Sequence, residues 1–176
     1  MTDSRKLILL RHGKATWLSE FDDFERPLTT TGEKQSRLVG DWLRGQGIQP
    51  NYWLVSAARR TLQTADIVRL RIGQRKPLNR VTEGLYLAEA EYLEQAIREV
   101  PDTVYCLILV GHNPGIGELL LEMAGEQLNQ FSLSPELMWP ATFAMFDVAG
   151  PWSSFKENTL TLTELVHGKV LAEKQP

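Results

Sequence analysis

The feature that most constrains this chain is a run of seven apolar residues, Val104-Tyr105-Cys106-Leu107-Ile108-Leu109-Val110, that ends abruptly in Gly111-His112-Asn113-Pro114. A run of that length, bounded by turn residues, reads as a strand buried on both faces, and such strands belong to parallel sheets covered by helices on either side. Lys6 to Leu10 is a second run of the same kind, ending in Arg11-His12-Gly13. It too reads as a central parallel strand, and the chain as an α/β fold.

The remaining pattern fits that expectation. Thr29 to Thr31 offer N-cap hydroxyls before a helix over residues 33–46, and its apolar face carries Leu38, Val39, Trp42 and Leu43. Tyr52 to Val55 predicts a strand, with Ser56 capping a helix whose stripe is Leu62, Ala65, Val68 and Ile72. Pro77 to Val81 predicts a weaker strand, residues 89–99 a helix, and Gly115 to Ala124 another. Residues 14–28 form a loop, and residues 126–140 give no clear pattern. Thr142 to Val148 and Thr159 to Val166 alternate like paired strands about a Gly150-Pro151 turn, which predicts an antiparallel hairpin at the sheet edge. The last eight or so residues read as a frayed tail.

Composition removes several function classes. With 176 residues, 43% hydrophobic, the chain fits one domain, residues 1–176. Its net charge of -3, from 19 Lys plus Arg against 22 Asp plus Glu, creates no global attraction for nucleic acid or anionic membranes. The one cysteine, Cys106, supports neither an intrachain disulfide nor a Cys-rich zinc site, which suits a reducing cytoplasm. No apolar stretch approaches the roughly 18 residues of a membrane span. Anion recognition, if present, is therefore local.

In open α/β sheets ligands bind beyond the carboxyl ends of the strands. Those positions hold Arg11, His12 and Gly13; Ser56 leading to Arg59 and Arg60; Glu83; and Gly111, His112, Asn113 and Pro114. Two of the three histidines follow the two strongest strands. Either alone reads equally as a structural hydrogen-bond partner; together, on neighbouring strands, they project into one crevice. Neighbouring arginines repel cations, which argues against a metal, and no cofactor is expected. The guanidinium fork instead pairs bidentately with phosphate oxygens, and neutral imidazole is a competent nucleophile near pH 7.

Leu10-Arg11-His12-Gly13, Ser56 to Thr64 (Ser-Ala-Ala-Arg-Arg-Thr-Leu-Gln-Thr) and Val110-Gly111-His112-Asn113-Pro114 resemble, in this order, the three signatures of the histidine phosphatase superfamily, also called phosphoglycerate mutase-like. Asp23 to Gly32, with Arg26-Pro27-Leu28-Thr29, the short length and the His-Asn-Pro turn are most similar to the SixA-type phosphohistidine phosphatases. The resemblance spans residues 5–166. It implies a three-layer α/β/α sandwich with a mostly parallel central sheet and an antiparallel C-terminal edge. It makes His12 the nucleophile that becomes transiently phosphorylated, Arg11 and Arg60 the phosphoryl anchors, and His112 the residue that completes the pocket. The resemblance, which places the binding arginine four residues after the serine, implies Arg60 rather than Arg59.

Arg26 and Glu83 stay open at this point. Arg26 either reaches the phosphate or lies on the surface before a helix; Glu83 is either a general acid, as phosphomonoester-cleaving relatives require, or a solvated loop residue. Between Glu83 and Val104 there is room for one helix and no capping insertion, so an open cleft is expected. An open cleft admits phosphohistidine on a protein, such as a His-containing phosphocarrier domain. Alternatives are a broad-range small-molecule phosphomonoesterase and, remotely, a silent phosphoprotein-binding domain. Trp17, Phe21 and Phe24 line the cleft mouth or pack on the domain, Cys106 belongs to the core, and His167 reads as solvated.

Overall fold

The computed structural model describes residues 4–17, 20, 22–76, 78–131 and 136–173. Within them, β1 (Arg5–Arg11), β2 (Tyr52–Ser56), β3 (Arg80–Thr82), β4 (Cys106–Gly111), β5 (Phe143–Val148) and β6 (Leu160–Val166) form one sheet in the order β3-β2-β4-β1-β5-β6. The first four are mutually parallel; β5 runs antiparallel to β1, and β6 antiparallel to β5. The two apolar runs are thus neighbours, with Leu7 facing Leu107 and Arg11 facing Gly111 in register.

Period-two alternation splits the core between the two faces. Leu7, Leu9, Leu107 and Leu109 pack with α3 (Ala90–Arg98) and α4 (Gly115–Ala124) through Leu93, Ile97, Ile116 and Leu120. Ile8, Leu10, Ile108 and Val110 pack with α1 (Thr30–Gly45) and α2 (Arg59–Arg71) through Val39, Leu43, Ala65 and Val68. Helices therefore cover both faces of a mixed sheet, in three layers. Thr29 caps α1, its hydroxyl accepting from the Gly32 amide at 3.1 Å. No described helix is long and apolar enough to cross a membrane.

Three local expectations are corrected. Ser56 does not cap α2: the N-cap is Ala58, and Ser56 is buried instead against His112. The β5–β6 connection is no tight Gly-Pro turn, because Trp152 and Phe155 fold back into the core, and the Trp152 indole donates to the Val104 carbonyl at 2.9 Å. Residues expected as tail form α5 (Gly168–Glu173), which packs on α1. Pro77, at the start of the expected third strand, and Phe21 lie outside the described residues; the described strand there is only Arg80–Thr82.

Candidate active site

The carboxyl ends of β1, β2 and β4 open onto a cleft of about 620 Å³ whose lining includes Arg11, His12, Asp23, Arg26, Arg60 and His112. Arg11 closes β1 and His12 follows it, Arg60 stands in the first turn of α2, His112 follows β4, and Asp23 and Arg26 come from the segment between β1 and α1. Arg60 is only 2% exposed, whereas Arg59 beside it faces solvent, so the fold separates the two arginines.

The His12 ring is oriented from both ends. Its Nδ1 donates to the Gly13 carbonyl at 2.7 Å, which fixes the tautomer and leaves the lone pair on Nε2, where Arg60 Nε donates at 3.2 Å. Burial, opposed by the Gly13 carbonyl and reinforced by His112, Arg60 and Arg11, holds its pKa well below the usual imidazole range. The His12 and His112 rings lie 5.2 Å apart. His112 Nε2 shares a hydrogen bond of 2.8 Å with the Ser56 hydroxyl, and burial, with the Arg60 charge next, brings its pKa down to about 3. Both shifts favour the neutral imidazole at pH 7.

Two carboxylates from loops engage the arginines. Asp23, in a 3-10 turn (Asp23–Glu25), takes Arg60 Nη2 on its carboxylate at 3.0 Å and Arg60 Nη1 on its carbonyl, and its carboxylate also accepts from Arg26 and the Tyr86 hydroxyl. Burial opposes ionisation, yet the bonds from Tyr86 and Arg60 outweigh it and set the Asp23 pKa at about 2. Glu136 pairs with Arg11, which also donates to the Met138 carbonyl at 2.6 Å. Arg26 donates to the Thr16 carbonyl at 3.1 Å and lies 4.2 Å from the Trp17 ring centroid. Among the described residues of the cleft lining, the donors Arg11 Nε, Arg26 Nε and His112 Nδ1 and the acceptor Asn113 Oδ1 are buried without a hydrogen-bond partner.

Glu83 is not brought to this cluster. Thr82 caps a 3-10 turn (Glu83–Leu85) that sends Leu85 into the core and sets Tyr86 against the His112 ring, while Glu83 is left exposed and outside the cleft lining. Asp23, Tyr86 and Glu136 escape sequence reasoning. Only Asp23 left a signal, three residues ahead of Arg26 in the Arg-Pro-Leu-Thr stretch. Phe24 packs edge-on against Tyr86, Cys106 is buried with its thiol pushed up to about 12, and His167 Nδ1 meets the Thr142 hydroxyl at 3.2 Å.

Paired imidazoles at adjacent strand ends, ringed by arginines, suit a phosphoryl group on a three-layer sheet. The chain belongs to the histidine phosphatase superfamily (branch 1), whose pattern matches residues 7–105, and it is accordingly a phosphate-releasing hydrolase. The phosphohistidine phosphatase SixA of Escherichia coli (strain K12) is 31% identical over 140 residues, which are 73% of this chain and 81% of that protein. A solved chain assigned as a SixA phosphohistidine phosphatase of Nakamurella multipartitia superposes with a TM-score of 0.78 at 27% identity, covering 93% of this chain and 96% of its own. The protein histidine phosphatase SixA complexed with tungstate gives 0.72 at 25% identity, covering 94% and 99%. The shared fold is phosphoglycerate mutase-like.

Proposed function

We propose that the chain, acting as one domain over residues 1–176, removes phosphate from phosphohistidine on a protein, by way of a phosphohistidine formed at its own His12. The observation that carries the reading is the set of buried donors on Arg11, Arg26 and His112, all lining the cleft that also holds the neutral His12 with its lone pair on Nε2. A buried donor without a partner costs roughly 1–3 kcal/mol, and a phosphoryl group's oxygens would satisfy several at once.

In the first step His12 Nε2 attacks phosphorus in line; the Nε2–P bond forms as the substrate's N–P bond breaks, and the leaving imidazole keeps that electron pair and its proton. Arg11, Arg60 and Arg26 balance the charge on the equatorial oxygens, and His112 donates to one of them through Nδ1. Water then attacks phosphorus as the Nε2–P bond breaks and Nε2 takes back its electron pair; the water's proton goes to bulk solvent or the released phosphate, and neutral His12 is regenerated. An imidazole leaving group needs no strong acid. That suits a cleft whose Asp23 is held ionised by Tyr86 and Arg60 and whose Glu136 is paired with Arg11. Glu83, exposed outside the lining, is poorly placed to protonate an alkoxide.

Substrate breadth follows from what covers the cleft. Between Glu83 and β4 the chain supplies only a 3-10 turn and α3, so no cap of the kind that encloses small sugars or glycerates forms there. The name of the Escherichia coli relative points the same way. A cytoplasmic place, beside a phosphocarrier domain, is consistent with the lone reduced thiol.

The test compares rates on a phosphohistidine-bearing carrier protein and on a panel of phosphomonoesters. The carrier is expected to react far faster, with acid-labile, alkali-stable phosphate trapped on His12; preference for the phosphomonoesters overturns the reading. His12→Ala removes turnover, and Arg60→Ala lowers it roughly 10²- to 10³-fold, as for a lost oxyanion donor.

A further inference from the structure

Around the mouth of the cleft the chain exposes large apolar side chains. Trp17 is 83% exposed, Leu87 49% and Trp139 42%, and all three line the same cleft as His12 and Arg60. They come from three separate segments: the loop after β1, the loop after β3 and the segment before β5. Convergence of exposed large apolar groups on one opening marks a contact surface.

Leu87 supplies an independent observation. Its φ is +50°, in the left-handed region where a leucine costs roughly 1 kcal/mol and Gly or Asn is preferred. The fold therefore bears backbone strain to hold a branched apolar side chain half in solvent at the rim. Among the cations lining the cleft, Lys14 and Lys169 are exposed, while Arg11 and Arg60 are paired with Glu136 and Asp23.

We propose that Trp17, Leu87 and Trp139 form a docking collar for the protein that carries the phosphohistidine, and that the face it accepts is apolar around the phosphorylated side chain and acidic at its edge. This rests on the phosphohistidine reading above and adds the partner's surface to it. An apolar patch fills the collar, and carboxylates at its edge meet Lys14 and Lys169. A free phosphorylated metabolite would reach the arginines yet leave the collar in water. The contact is small, as suits a transient enzyme–substrate encounter.

The test uses Leu87→Asn and Trp139→Ser, with phosphoimidazole and a phosphohistidine-bearing carrier protein as substrates. Asn is at ease at positive φ, so Leu87→Asn is expected to melt at or above the wild-type temperature. Each variant should raise KM for the carrier about tenfold and keep its rate on phosphoimidazole within about twofold. Parallel loss on both substrates shows that these residues shape the pocket and overturns the collar, as does an unchanged KM for the carrier. A wild-type protein that cleaves phosphomonoesters and leaves the carrier intact overturns the collar together with the phosphohistidine reading; cleavage of the carrier with unchanged KM in the variants overturns the collar alone.

Discussion

At the scale of single residues, the site is organised by what each charged group is paired with. Arg60 is held by the carbonyl and carboxylate of Asp23, which leaves its Nε directed at His12 Nε2. An oxyanion entering beside His12 meets the same guanidinium groups that Asp23 already occupies, so carboxylate and anion repel across a few ångströms of partly screened space. Asp23→Asn is therefore expected to tighten inhibition by inorganic phosphate by about 1–2 kcal/mol, roughly five- to thirtyfold; weaker inhibition would show that Asp23 chiefly orients Arg60. Arg11, His12 and His112 stand out in the sequence because they end or follow an apolar run, whereas Arg60, inside α2, is singled out only by the resemblance. Asp23, Tyr86 and Glu136 do not stand out, because they arrive on turns and loops whose positions depend on tertiary packing, with no periodicity to reveal which side chains turn inward.

At the scale of elements, the site depends on how closely α1 approaches the turn after β1. A Cβ added to Gly13 would stand 2.6 Å from the Gly32 carbonyl oxygen and 3.0 Å from the Ser36 hydroxyl, and one on Gly32 would run into the Lys14 backbone. Two glycines facing each other let the helix press on the segment that carries His12. Gly13→Ala should force these backbones apart, at a cost of roughly 1–3 kcal/mol in unfolding free energy, and displace the Gly13 carbonyl that fixes the His12 tautomer. Denaturation midpoints and turnover, measured together, check both effects. The helices and central strands follow the sequence pattern because burial imposes its period directly. The β5–β6 connection did not, since Trp152 and Phe155 fill a gap beside α3 and α4 that exists only once those helices have packed. α5 was missed for the same reason: six residues carry too little pattern, and their order comes from α1 beneath them.

At the scale of the whole molecule, two buried neutral histidines tie stability to pH. His112 has a folded pKa of about 3 against 6.5 for a free imidazole, and His12 is shifted the same way. Between those values the unfolded chain binds protons that the fold refuses, so stability falls as pH drops below 6.5, by about 1.4 kcal/mol per pH unit for each imidazole. Asp23, depressed from 3.8 to about 2, stabilises the fold above pH 4 and loses that contribution only as pH falls further. Unfolding free energies at pH 7.5 and 5.5 should therefore differ by roughly 3 kcal/mol, and His112→Asn should halve the difference. A pH-independent stability over this range would mean that both imidazoles accept protons in the folded state.

The neighbouring central strands have a kinetic consequence. β1 is paired on both sides, by β4 and β5, and β4 by β2 and β1, so the amides of Leu7 to Leu10 and Leu107 to Val110 exchange with solvent hydrogen only when the whole sheet opens. His12 and His112 hang from those two strands, one residue beyond each. Fraying of α5 or of the edge strands leaves them in place. Loss of activity and loss of ellipticity in denaturant should then trace one curve, and the slowest-exchanging amides should be those directly preceding the two histidines.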